Sequence, residues 1–347
     1  MSDDNSSNSI TTRRKTGRAQ MADVARIAGV STSTVSRTLS NPTSVSKTLR
    51  AQVDAAIEQL GYVPNVMAGG LATSRTRTIC VIVPSLSNSF FSATIEAMAA
   101  RFESEGYQIM LGNSDYSLER EEAIINSFLS WSPAAIVLTG QSHSRSALKR
   151  LLGAEVPIVE MWEMGDNPID TLVGFSHRAV GRAAAQHLLT RGKTKIACIG
   201  AALDRDRRAA QRCDGFAEVI RETTSRAAII AGPKGRANIE QGMNALEALI
   251  VAHPDVDGVF FSNDALMLGG LFHCQRQGIR IPQDLALIGF GDLDFAAHSL
   301  PSLSTIRPPK AEIGAATAEH LLRRFSNEDV PPETIDLGFE LIARGSS

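Results

Sequence analysis

From Thr78 onward, short apolar runs alternate with amphipathic stretches, and this rhythm leaves few folds open. The runs are TICVIVP (78–84), YQIMLG (107–112), AAIVLTG (134–140), VPIVEMW (156–162) and TLVGF (171–175), then KIACIG (195–200), AAII (227–230), GVFFSN (258–263) and LALIGFG (285–291). Each has the length of a strand, and a strand apolar on both faces must be covered on both faces. The covers are stretches with helical spacing, such as Phe91–Glu105, Leu118–Ser130, Val180–Arg191, Gly235–Ala252 and Ala265–Gln277. Strands alternating with helices give parallel sheets, and the two series of runs imply two similar α/β lobes.

A different pattern precedes the lobes. In MADVARIAGVSTSTVSRTLSNPTSVSKTLRAQVDAAIEQLGYVPN, Val24, Ile27 and Ala28 share one face of a short helix that stops at Gly29. Ser31 can cap a second helix with Val35 and Leu39 inward, ended by Asn41-Pro42. Ser46 precedes a third, striped by Leu49, Val53, Ala56, Ile57 and Leu60 and closed by Gly61. Two helices around a Gly29-Val30-Ser31 turn, with a third closing the core, make a helix-turn-helix unit. Periodicity alone also fits a small protein-binding bundle.

Charge separates those two readings. Net charge is only -2, yet Met1–Thr78 holds ten of the 35 basic residues and five of the 37 acidic ones. A basic head on an acidic body suits a chain whose head alone meets phosphate. The second helix would expose Thr32, Ser33, Thr34, Ser36 and Arg37, small enough to let its backbone sit deep in a major groove. Arg37 can reach a guanine edge or a phosphate, whereas Ser31, Ser36 and Lys47 suit phosphate anchoring.

In open α/β sheets, ligands sit beyond the carboxyl ends of the strands. The candidates are therefore the residues that follow each run: Ser85 and Phe90, with Ser87 and Asn88; His143, with Gln141 and Ser142; Trp162, with Glu160 and Glu163; and Phe175 with His177. The second series adds Asn263, Asp264, Asp292 and a charged loop, DRDRRAAQRCDGF, carrying Arg205, Arg207, Arg208 and Arg212. A guanidinium grips a carboxylate through two parallel hydrogen bonds, so these arginines suit an acid, and Asn263 and Asp292 suit hydroxyls. A polyhydroxylated acid satisfies both.

Several classes are set aside. No GxSxG, HExxH, GxxxxGK[ST] or GxGxxG signature is present, so no enzyme, cofactor or metal site is expected. Cys80, Cys198, Cys213 and Cys274 are scattered along the sequence without disulfide or zinc spacing. No secretory signal or membrane-length apolar run is seen, which points to the cytoplasm. An export-dependent binding protein with the same two lobes fits neither observation.

The ordered motif DVAxxAGVSxxTVSRxL (with Ser40 before Asn41), then GYxPN and AxxL, spans Asp23 to Leu71 and resembles the head of the lactose/galactose repressor family; the likeness continues along the rest of the chain. It implies a small all-α helix-turn-helix head joined to a two-lobed, periplasmic-binding-protein-like sensor, and a repressor that binds pseudo-palindromic operator DNA as a homodimer. By the resemblance, Asn65, Ala68 and Leu71 belong to a hinge helix that enters the minor groove, with Leu71 as the apolar wedge between base pairs. Val66 departs from the basic residue common there. Arg212 and Asn263 match effector-holding positions, and Phe175 matches the aromatic packed on the effector. Many relatives carry two aspartates after GF or GY, but this chain reads GFGDLD, with Gly291 at the first. The runs FLSWSPAAIVLT, VGFSHRAVG, CDGF, FHCQRQGIRIPQDLALIGFGDLD and IDLGFELIARG are most similar to repressors of gluconate utilisation.

The expected organisation is a disordered basic tail (1–18), the helix-turn-helix domain (19–63), a hinge (64–77) and a sensor that also dimerises (78–345). The resemblance implies a repressor of sugar-acid catabolism genes, released from DNA by gluconate or a near relation. A neutral sugar or nucleobase effector, or corepression, is the alternative. With no heptad extension to tie dimers together, the dimer is the default.

Overall fold

The computed structural model describes residues 19–63, 76–86, 89–224, 227–326 and 329–347. The basic tail, the hinge positions Asn65, Ala68 and Leu71, and Ser87 and Asn88 lie outside these described residues. The chain divides into two units, Met1–Thr76 and Arg77–Ser347.

The first unit contains α1 (Met21–Ala28), α2 (Thr32–Ser40), a 3₁₀ turn (Pro42–Ser44) and α3 (Lys47–Leu60). Local chemistry sets each boundary. Gln20 and Asp23 form a capping box on α1, the Ser31 hydroxyl accepts from the Thr34 amide, and the Ser46 hydroxyl accepts from the Leu49 amide. Gly29 and Gly61 end α1 and α3 in the left-handed region, at φ 68° and 57°. Val24, Ala25, Val35, Val53, Ala56 and Tyr62 fill the core. Burying each valine is worth roughly 1.5–3 kcal/mol. Ile27, expected inside, lies at the rim and is 37% exposed.

The second unit has two lobes. In the first, β1 (Thr78–Val83), β2 (Gln108–Asn113), β3 (Ala135–Thr139), β4 (Ile158–Met161), β5 (Thr171–Gly174) and β11 (Thr334–Asp336) form a sheet in the order β11-β5-β4-β3-β1-β2. All its pairings are parallel, Ile79 standing between Ile109 and Ala135 in register. Helices α4 (Ser89–Glu103), α5 (Leu118–Leu129), α6 (Arg145–Leu152) and α12 (Lys310–Phe325) cover it.

In the second lobe, β6 (Ile196–Ile199), β7 (Ile229–Ala231), β8 (Gly258–Phe261), β9 (Ala286–Phe290), β10 (Ser304–Arg307) and β12 (Glu340–Ile342) take the order β12-β10-β9-β8-β6-β7. Only the β10–β12 pairing is antiparallel among them. Its helices are α7 (His177–Thr190), α8 (Arg207–Thr224), α9 (Ile239–Ala252), α10 (Asp264–Gln277) and the short α11 (Phe295–His298). The chain passes between lobes at 175–176, 308–309 and 337–339.

One local expectation changes. The segment 204–216, read as a charged loop, becomes helix α8 from Arg207 onward. Ala209, Cys213, Phe216, Ala217 and Ile220 recur at helical spacing and are buried, a stripe hidden in the sequence by the arginines beside it. The fold also brings Cys198 and Cys213 together, with Sγ atoms 2.9 Å apart; both are free and buried.

Candidate functional site: an exposed helix of the first unit and a cationic cavity

On the first unit, α2 presents Thr32, Ser33, Ser36 and Arg37 to solvent, with Ser31 at its N-cap and Lys47 opening α3 also exposed. Thr34 is half-buried, and its hydroxyl lies 2.8 Å from that of Ser31, as does the hydroxyl of Ser33. These hydroxyls gather at a helix N-terminus, where unpaired amides and the helix dipole favour a phosphate. No acidic residue occupies the first turn of α2.

On the second unit, a cavity of about 360 Å³ opens between the lobes beyond the carboxyl ends of their strands. Of the residues expected there, Ser85, Phe90, Trp162, His177, Arg205, Arg208, Arg212 and Asn263 line it. The apolar wall is a set of rings. Phe90 and Trp162 stack at 6.3 Å, Phe91 meets Trp162 edge-on at 5.3 Å, and Phe90 meets Phe290 edge-on at 5.8 Å.

Arg212 forms the floor. It is 4% exposed, its Cζ sits 4.2 Å from the centre of the Phe290 ring, and its Nε donates to the Ser262 carbonyl at 3.0 Å. Its Nη1 lies 2.8 Å from His177 Nδ1, while His177 Nε2 lies 2.8 Å from the Trp162 carbonyl. No ion pair of Arg212 is formed among the described residues. Burial accordingly lowers its pKa, Asp206 acting only through space to oppose the shift. A buried guanidinium without a carboxylate is a costly arrangement that an anionic ligand would relieve.

Backbone geometry supports this location. Among the described residues, Asp115, Tyr116, Ser132, Trp162, Ala202 and Asp292 are the non-glycine positions with positive φ. Asp115, Tyr116, Trp162 and Ala202 of these line the cavity. Such conformations cost about 1–3 kcal/mol each and gather where function holds them. Close helix packing sets the floor itself. A Cβ on Gly181 of α7 would strike the Arg212 carbonyl, and one on Gly215 of α8 would strike the Arg178 carbonyl. Only glycine at both positions lets the two helices approach closely enough to put His177 beside Arg212.

Gly291, the departure noted in the sequence, has φ 135°, and a Cβ there would meet the Phe90 ring. The ring fills the space that an aspartate side chain would need.

Three other expected residues are placed differently. Phe175 is fully buried beneath the wall, 4.6 Å from the His177 ring and 6.0 Å from Trp162. Asp292 does not line the cavity; its carboxylate accepts from Arg307 at 2.7 Å and Arg344 at 2.7 Å. His143 lies inside the first lobe, with Nδ1 2.6 Å from Glu121 and Nε2 3.2 Å from Glu160. Burial would push its pKa down, but the two carboxylates outweigh that and hold it at about 9.

The cavity also gains residues that were not singled out: Asp115 and Tyr116 after β2, and Lys234 and Arg236 after β7. Both pairs follow apolar runs, so the strand-end rule applied to every run would have found them. Arg236 pairs with Asp115 across the cleft, and Gln211 donates to Glu163 at 2.5 Å across the same gap.

Comparison with known proteins agrees with both units. Residues 20–65 match the model for bacterial regulatory proteins of the lacI family, and residues 185–347 match the periplasmic binding protein-like domain. The chain is 37% identical to the HTH-type transcriptional regulator GntR of Pseudomonas aeruginosa over 96% of this chain and 97% of that protein. It is 33% identical to the regulator of the same name from Escherichia coli K12, over 96% and 99%. A crystal structure of a LacI family transcriptional regulator from Silicibacter pomeroyi superposes with TM-score 0.89 at 34% identity, covering 94% of this chain and 99% of that one. These relatives are transcriptional regulators, not enzymes. With a lacI-type reading head, a two-lobed sensor and near full-length relatives above 30% identity, this chain belongs to the LacI family and is a DNA-binding transcriptional repressor.

Proposed function

We propose that this repressor controls sugar-acid catabolism genes and leaves its operator when gluconate or a related sugar acid enters the cavity. The observation that carries this reading is Arg212: buried, stacked on Phe290 and without an ion pair among the described residues. A carboxylate of the ligand would supply the missing countercharge, and Arg205, Arg208, Lys234 and Arg236 add further positive charge to the lining. Asn263 Oδ1 caps α10 by accepting from the Leu266 amide at 3.0 Å, which leaves its NH₂ to donate to a hydroxyl. Phe90 and Trp162 offer flat apolar faces to the carbon chain, backed by Phe175. The effector set is therefore Ser85, Phe90, Trp162, His177, Arg205, Arg212 and Asn263. His143 and Asp292 drop out because their charges are already paired.

At the DNA, Arg37 reads base edges from the major groove while Ser31, Thr32, Ser33, Thr34, Ser36 and Lys47 seat the head on phosphates. Two heads of a homodimer occupy the half-sites of a pseudo-palindromic operator. Asn65, Ala68 and Leu71 contact the minor groove of the operator, and operator binding and ligand binding oppose each other reciprocally.

Calorimetry tests the effector. Wild type should bind gluconate and not neutral sugars, and Arg212→Ala should weaken binding about 100-fold, or roughly 3 kcal/mol. Equal affinity in the variant would remove the central contact. Gel shifts on the gene's own upstream DNA should show release by gluconate; tighter binding would reverse the sign of regulation.

A further inference from the structure

His177 opens α7 just after the first passage between lobes, and both of its ring nitrogens are engaged. A guanidinium nitrogen offers only hydrogens, and a carbonyl offers only lone pairs. One tautomer alone satisfies both neighbours. Nε2 carries the proton and donates to the Trp162 carbonyl of the first lobe, while bare Nδ1 accepts from Arg212 Nη1 of the second. The ring is 2% exposed. Protonation is opposed first by burial and then by the charges of Arg212 and Arg208, both on α8, so its pKa falls well below the ordinary value. The remaining close neighbours are the rings of Phe175 and Phe290, at 4.6 and 5.8 Å. His177 therefore cannot serve the ligand as a cation.

We propose that His177 is a positioning residue: a neutral, single-tautomer clamp that bridges the lobes and fixes the guanidinium of Arg212 for anion capture. The assignment presupposes Arg212 as the seat of the effector's carboxylate. The clamp continues beyond Trp162. The Trp162 indole N–H donates to Thr94 Oγ1 at 3.2 Å, and that hydroxyl donates to the Lys310 carbonyl at 2.7 Å. Lys310 Nζ in turn donates to the Gly291 and Asp292 carbonyls of the second lobe, at 3.0 and 3.1 Å. A run of hydrogen bonds thus links Arg212 at the first passage between lobes to Lys310 at the second. Trp162, midway, holds φ at 69°, a backbone state that must be enforced by its surroundings.

Two measurements test the clamp on the full-length protein. Nitrogen-15 imidazole spectra, with the His177 signal identified by its loss in His177→Phe and His177→Asn, should show a neutral Nε2–H ring from about pH 8 to about pH 5.5. An imidazolium or an Nδ1–H tautomer in that range overturns the proposal. Calorimetry with D-gluconate should show wild-type affinity flat within about twofold over the same range, and a loss of about tenfold in His177→Phe. His177→Asn, which keeps an acceptor near Arg212, should recover most of that loss. Affinity rising about tenfold on acidification would make His177 a cationic contact and sink the clamp. Unchanged binding in both His177 variants, with Arg212→Ala inactive, defeats the clamp alone. Unchanged binding in Arg212→Ala, or no binding by wild type, defeats the effector reading instead, and the spectra still decide the tautomer.

Discussion

Of the buried histidine side chains in the second unit, His143 and His177 are treated in opposite ways. His143, inside the first lobe, lies between Glu121 and Glu160, so burial is answered by countercharge and the ring stays protonated up to about 9. His177, at the cavity floor, lies between a carbonyl and a guanidinium, and it is neutral. The first cluster satisfies its charges internally and leaves nothing for a ligand. The second leaves Arg212 short of an anion. Where the chain needs only a fold, charge is closed within the protein; where it needs a guest, one partner is withheld.

The comparison breaks most visibly if its members are exchanged. Glu160→Gln should cost about 3 kcal/mol in urea unfolding, since it strips a buried imidazolium of a partner, yet gluconate affinity should barely change. A comparable loss of affinity would mean that the His143 cluster belongs to the site after all. Gly215→Ala should cost about 2 kcal/mol by forcing α7 and α8 apart, and here affinity should fall together with stability. Arg212→Met should stabilise the ligand-free protein by about 1 kcal/mol, read as a higher melting temperature, while abolishing acid binding; a destabilised variant would show that the arginine is already compensated in the empty state.

The smallest effect sharpens the contrast through pH. His143 has a folded pKa of about 9 against an ordinary 6.5, so its contribution is complete below 6.5 and is lost as pH rises through about 9. His177 runs the other way. Its folded pKa is depressed, so its contribution holds above 6.5 and is lost as pH falls below it. Melting curves of His143→Gln and His177→Asn against wild type should therefore differ in opposite pH directions. Parallel curves would remove the distinction between the two histidines.

Much of this was legible in the residues. The head was readable because Ser31, Ser46, Gly29 and Gly61 act locally, within one turn of the helix they bound. The strands through β9 were readable because each is built around an apolar run. β10 was not, since Ser304 and Thr305 are fully buried polar residues, satisfied by Ser346, Arg344 and Asp264 from far along the chain. β11 and β12 are short and half-exposed, three residues each, too few to set a pattern apart from a loop. In the site, strand ends located Arg212 and Asn263 but also promoted His143 and Asp292, because a strand end does not reveal whether a charge has already found a partner. Glu121 and Arg344, which supply those partners, lie 22 and 52 residues away.

The passages between lobes have a consequence for how the sensor can be taken apart. The first lobe's sheet is finished by β11 and its covering by α12, both drawn from the far end of the sequence, after all of the second lobe's strands but β12 have been threaded. Neither half is a continuous piece of chain, so a cut at Phe175 would leave a fragment missing an edge strand and a covering helix. The sensor should melt as one body, and only a fragment that splices 310–336 back onto the first half could stand alone.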